Sequence, residues 1–237
     1  MTQRARQFAL DLPHRPHYSR ADFLVAEAND AALAALDRHP ASGGATLALV
    51  GPPGSGKTHL AHVWATATGA RWITPDLLTA ALPELAALRP TAVVVDAADA
   101  SVGNAAGDAA LFHLLNLTRQ QGGSLLLTGR AAPARWNAVL PDLRSRLAAL
   151  PVAAVGAPDE ALLAAVLVKL FGDRQVALGG EVIAYLLPRM DRSLAFAREL
   201  VAAIDAEALA GKRAITVPLA AKVLAALQPD NDESEGA

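Results

Sequence analysis

Cysteine is absent from the 237 residues, which excludes disulfides and thiolate metal sites. Excess charge is nearly absent as well. The net charge of −2 leaves no global basic field to draw the chain to DNA, so any nucleic-acid contact must be local or made through a partner. No apolar run reaches the length of a bilayer crossing, and the alanine-rich helical segments are broken by charge, Gly or Pro. The amino end, MTQRARQFALDLPHRP, also lacks the apolar stretch of a signal peptide, so a cytoplasmic location and no membrane role are expected. What is plentiful is apolar side chain. At 53% hydrophobic residues, the chain can build one large domain or one large domain with a small one beside it.

Residues 51–58 read GPPGSGKT, a complete phosphate-binding loop entered from the apolar run TLALV at 46–50. Gly51, Gly54 and Gly56 let the backbone turn tightly, with Pro52, Pro53 and Ser55 between them, so that N–H groups point at phosphate oxygens. Lys57 places an ammonium between the terminal phosphates, and Thr58 offers a hydroxyl to Mg2+. ADP or ATP is the expected ligand. His59 follows directly and is counted with the nucleotide contacts. As metal ligands, His59 and His62 lack an acidic or cysteine partner at ligand spacing, and they read as packing or surface residues.

From Thr46 to Val155 short apolar strands alternate with helical stretches, the pattern of a parallel sheet covered on both faces. Strands are expected at 46–50, 71–74, 91–96, 124–128 and 151–155. Helices are expected at Lys57–Thr68, ended by Gly69, and at 108–121, with Leu111, Leu114, Leu115 and Thr118 on one face and His113 in a structural role. After Val155 only helical periodicity remains, at 158–171, 180–190, 192–209 and 217–227, with Pro158 and Pro218 near starts and Gly172 and Gly211 near ends. The expected organisation is an extension over 1–20, a nucleotide-binding α/β domain over 21–156, a small helical domain over 157–227 and a disordered acidic tail over 228–237. The join near residue 156 reads as a hinge that responds to nucleotide.

Three further motifs carry chemistry. In AVVVDAAD, 92–99, a buried strand delivers Asp96 beside Mg2+, but Ala97 stands where hydrolytic relatives often have a second acid, so self-hydrolysis is expected to be weak. Asp99 either swings toward the site or serves as a helix cap or solvated charge. In SLLLTGR, 124–130, Thr128 either senses the terminal phosphate or caps the following segment, and Arg130 reads as a surface charge. PDLRSRLAAL, 141–150, holds Arg144 and Arg146; an arginine here can face away from its own nucleotide and enter a neighbour's site, and Arg146 is the candidate.

The order GPPGSGKT, VVVDAAD, LLLTGR, DLRSRL, then GEVIAYLLPRMDRSL and KRAITVPLAAKVL, resembles the AAA+ domain of the bacterial replication initiator DnaA over residues 20–227. That resemblance implies an AAA+ P-loop NTPase: a parallel five-stranded sheet flanked by helices, followed by a helical lid. It also implies that Arg146 is an arginine finger, Thr128 a first sensor and Arg192 a second sensor touching the nucleotide, with Arg198 the alternative. Neither the initiator's carboxy-terminal DNA-binding domain nor its amino-terminal interaction domain is expected. In place of the latter stands QFALDL at 7–12, which looks like a peptide that docks on the β sliding clamp, with Leu10 and Leu12 as anchors, Phe8 as an added contact and Gln7 fixing register.

A clamp peptide joined to a DnaA-like AAA+ module is similar to the Hda/HdaA family. The family implies a regulator that, carrying ADP on clamp-loaded DNA, promotes hydrolysis of DnaA-bound ATP and so prevents re-initiation. Its contact with DNA is then indirect, through the clamp, and a homodimer is compatible with the resemblance. The alternatives are a DnaC-type helicase loader, which would need a helicase-binding extension, and a stand-alone AAA+ ATPase, which Ala97 opposes.

Overall fold

The structure, a computed structural model, describes residues 20, 23–41, 43–176, 178–211 and 213–228. The clamp-like peptide with Gln7, Phe8, Leu10 and Leu12 lies outside the described residues, as do residues 229–237 of the acidic tail.

Five parallel strands form one sheet: β1 (Thr46–Val50), β2 (Arg71–Ile73), β3 (Ala92–Val95), β4 (Ser124–Gly129) and β5 (Val152–Ala154), in the order β2-β3-β4-β1-β5. β3 and β4 are buried along their whole length, as continuous apolar runs in a sheet covered on both faces should be. Their side chains divide with a period of two. Val93, Val95, Leu125 and Leu127 face a core built with α3 (Leu78–Leu88), α4 (Ala105–Gln120) and α5 (Pro141–Ala148). Ala92, Val94, Leu126, Leu47 and Leu49 face the opposite core, built with α1 (Glu27–Asp37) and α2 (Lys57–Thr68). Both edge strands, β2 and β5, have only three residues.

The expected strands are all present, trimmed or extended by a residue at some ends. α2 begins at Lys57 and ends at Thr68, with Gly69 in the left-handed conformation (φ 67°) donating its N–H to Ala65 O. α4 starts earlier than its apolar face implied, because Asn104 caps it through an Oδ1 that accepts Gly107 N at 2.9 Å. Leu111, Leu114, Leu115 and Thr118 are buried on that helix, whereas His113 is exposed.

Among the described residues four helices follow the sheet: α6 (Glu160–Gly172), capped by Asp159, then α7 (Gly180–Leu186), α8 (Leu194–Gly211) and α9 (Val217–Leu227). They close around their own core of Leu162, Leu167, Phe171, Leu186, Leu200 and Ile204 among others. The stretch before α1 bridges the two halves. Phe23 belongs to the sheet's core, while Leu24 and Ala26 pack against the helical one. Buried Asn29 fixes this stretch by accepting Ala26 N and donating to Leu24 O, each at 3.0 Å. Among the described residues no helix is long and apolar enough to cross a membrane.

Candidate functional site

Because all strands are parallel, their carboxyl ends share one edge, and the order reverses at β1, which lies between β4 and β5. Such a switch point is where an open α/β sheet offers a crevice to a ligand. The 51–58 loop leaves β1 there. Gly54 (φ 71°) and Gly56 (φ 100°) take left-handed conformations that a side chain would strain. At Gly51 an added Cβ would lie 2.2 Å from Val155 O, so the loop is pressed against the strand that leads to the helical half.

Lys57 Nζ donates to Gly51 O at 2.8 Å and Pro52 O at 2.7 Å, which places the ammonium inside the turn. Burial holds its pKa below the ordinary value, against the opposing pull of Asp99 and Asp96. Ser55 is buried, and its hydroxyl has no hydrogen-bond partner among the described residues. A cation within the turn, left-handed glycines and a buried orphan hydroxyl fit a bound phosphate chain.

Three chain segments meet at Asp96, just past β3. Thr58 Oγ1 donates to both carboxylate oxygens, at 3.3 and 3.2 Å, and Thr128 Oγ1 donates to Oδ1 at 2.6 Å. Thr128 in turn accepts the Ala97 N–H at 2.8 Å and is 2% exposed. The structure therefore brings Thr58, Asp96 and Thr128 together, and its hydroxyl and carboxylate oxygens form the hard donor set that Mg2+ prefers. Ala97 sits at φ 54° without a carboxylate to offer. Asp99 takes a third role besides those open from sequence: its Oδ2 accepts the Arg130 N–H at 2.9 Å and holds the turn after β4.

The helical half reaches this site directly. Leu194 N donates to Gly54 O at 2.8 Å, and an added Cβ at Gly54 would meet Ser193 Oγ at 1.9 Å. Arg198 Nη2 lies 2.9 Å from Nδ1 of His59, whose ring also packs edge-on against Phe23, with centroids 5.3 Å apart. Arg192 is exposed in the turn before α8. His62 stacks on Trp72 with centroids 3.8 Å apart, and burial lowers its pKa despite Asp96.

Arg146 lies in the last turn of α5, half-buried, with its guanidinium carbon 4.9 Å from the ring centre of Phe112 on α4. Arg144 is exposed. Sequence reading did not single out Phe112, Ser193 or Asp108. For Asp108 a signal existed: it falls on the same helical stripe as Leu111 and Leu115, an acid on an otherwise apolar face.

Residues 160–224 match the family model described as the Hda lid domain. Domain III of the replication initiation protein DnaA from Thermotoga maritima is similar in structure, with TM-score 0.75 and 20% identity over 90% of this chain and 98% of that one. AMPPCP-bound DnaA from Aquifex aeolicus gives 0.67 at 20% identity, over 83% of this chain and 68% of that one. A variant of RuvB from Thermotoga maritima gives 0.62 at 17% identity, over 86% and 68%. These likenesses show the AAA+ fold, with α6–α9 as its lid. No curated protein matches the sequence.

Proposed function

We propose that this chain, a DnaA-related AAA+ protein with an Hda-type lid, is a regulator of replication initiation that stimulates hydrolysis of ATP held by DnaA. The observation that carries the reading is the Hda-type lid on a DnaA-like core, and the candidate finger is Arg146, held in the last turn of α5 against Phe112. The Gly51–Thr58 loop would hold ADP or ATP, as the AMPPCP-bound relative holds its analogue, with His59 beside it and Arg192 or Arg198 reaching it from the lid. Thr58 and Asp96 would hold Mg2+, which neutralises phosphate charge when bound. With Ala97 after Asp96, no second carboxylate polarises an attacking water, so intrinsic turnover is slow and the chemistry falls to the partner's site.

There, Arg146 acts as a finger in trans. As the γ-phosphoryl of DnaA's ATP is transferred to water, negative charge spreads over its equatorial oxygens, and the guanidinium fork donates to them. Such a contribution reaches about a thousandfold or more in rate. The peptide of Gln7, Phe8, Leu10 and Leu12 would dock on the β sliding clamp, bringing the protein to DNA through that partner.

The test is single-turnover hydrolysis of ATP preloaded on DnaA, with clamp-loaded DNA present. Arg146→Ala is expected to keep ADP and clamp binding yet lose stimulation, and Arg146→Lys to recover it only in part, because a point charge lacks the planar fork. Loss in Arg144→Ala with full activity in Arg146→Ala would move the finger by two residues. Full activity in both would sink the trans mechanism and favour sequestration of DnaA.

A further inference from the structure

Asp108 is fully buried, 0% exposed, in the first turn of α4. Its Oδ1 accepts Gly103 N at 3.0 Å, and its Oδ2 accepts Val139 N at 2.5 Å and Leu140 N at 2.8 Å. Leu140 is the cap residue from which α5 springs, with Pro141 at the helix's first position. The carboxylate therefore grips the backbone at the point where the finger helix begins, through charge-assisted bonds about twice as strong as neutral ones. One turn further along α4, Phe112 receives the guanidinium of Arg146 from the other end of α5. The eight residues of α5 are thus registered against α4 at both ends.

We infer that Asp108 is a positioning residue for Arg146, setting where α5 begins and hence where its last turn presents the guanidinium. The inference rests on the trans-arginine reading above. A shift of the helix start travels undiminished to Arg146, since a helix of two turns is stiffer than the loop that precedes it. Stabilising a transferring phosphoryl group demands placement to within about 1 Å, and an error of that size costs about a hundredfold. An apolar residue at 108 would leave three backbone donors unsatisfied. An asparagine keeps the volume but turns an NH2 toward N–H groups on one side, so it cannot hold Gly103 and the α5 start at once.

The experiment compares wild type, Asp108→Asn and Arg146→Ala in single-turnover hydrolysis of DnaA-bound ATP, titrating the regulator to obtain plateau rate and half-saturating concentration separately. Amide exchange at Val139 and Leu140 and ADP affinity are measured on the same proteins. The expected result for Asp108→Asn is a plateau lowered about ten- to a hundredfold, an unchanged half-saturating concentration and ADP affinity, and faster exchange at both amides. A wild-type plateau with those amides exchanging freely would overturn the inference while leaving the finger intact. Full activity of Arg146→Ala would instead overturn the functional reading on which it rests. Should Asp108→Asn fail to bind ADP, Asp108→Ser, whose smaller side chain admits a water to the same donors, takes its place. Loss of ADP binding in both would make Asp108 a folding residue and refute the positioning role.

Discussion

Replacing Gly54 by alanine measures how tightly the lid is seated on the phosphate loop. At φ 71° an alanine costs about 1–2 kcal/mol in backbone strain. For a chain of this size that lowers the melting temperature by roughly 2–8 °C, at about 2–4 °C per kcal/mol. The new methyl would also lie 1.9 Å from Ser193 Oγ and 2.6 Å from its Cβ, so either the loop or the start of α8 must move, breaking the 2.8 Å bond from Leu194 N to Gly54 O. The two shortest of these contacts are removed by Ser193→Gly, which leaves the residue's Cα at 3.1 Å, a close contact that a shift of a few tenths of an ångström relieves. That change alone costs a few tenths of a kcal/mol, since Ser193 Oγ accepts Phe196 N at the helix start. The single and double variants form a cycle whose coupling is expected at about 1 kcal/mol or more in favour of the pair. Scanning calorimetry gives the four melting points. Repeating the scans with ADP at 100 times its dissociation constant should add about 2.7 kcal/mol to the wild type, and less to Gly54→Ala. Strict additivity, or a wild-type ADP increment in Gly54→Ala, would refute a lid seated on the loop.

Thr128→Val keeps shape but leaves the Ala97 N–H and an Asp96 oxygen without their hydroxyl partner, and is expected to cost about 1–3 kcal/mol. An unchanged denaturation midpoint would show that these bonds carry no stability. Gln7→Ala combined with Leu10→Ala should abolish clamp binding in calorimetry without lowering the melting temperature, because the anchors act in a partner's pocket. Much earlier melting would make the segment a structural strand.

What could be read from the chain was whatever local chemistry determines. The phosphate loop, the strands and α2 follow from apolar runs and glycine placement within a few residues of one another. α3 was hidden by Pro83, a helix breaker that this helix tolerates on an exposed face where Thr79, whose carbonyl loses its donor, also meets solvent. α1 was hidden too, because its cap is Ala26 and the polar contact comes from Asn29 three residues later. The contacts of Gly54 with Ser193 and of His59 with Arg198 join residues more than 130 positions apart. No local pattern encodes them. The same distance explains why Arg192 and Arg198 could not be separated by motif order, since the choice depends on how α8 lies across the loop.

The three-residue edges of the sheet bear on how such molecules associate. Arg71–Ile73 and Val152–Ala154 offer too few unpaired N–H and C=O groups to template another chain's strand. Lateral growth by β-pairing is therefore closed on both sides, and encounters with a related module are left to helices and loops. Were this chain to meet a look-alike as the proposed function has it, blunt edges would favour transient docking over the continuous sheet that two sister folds could otherwise form.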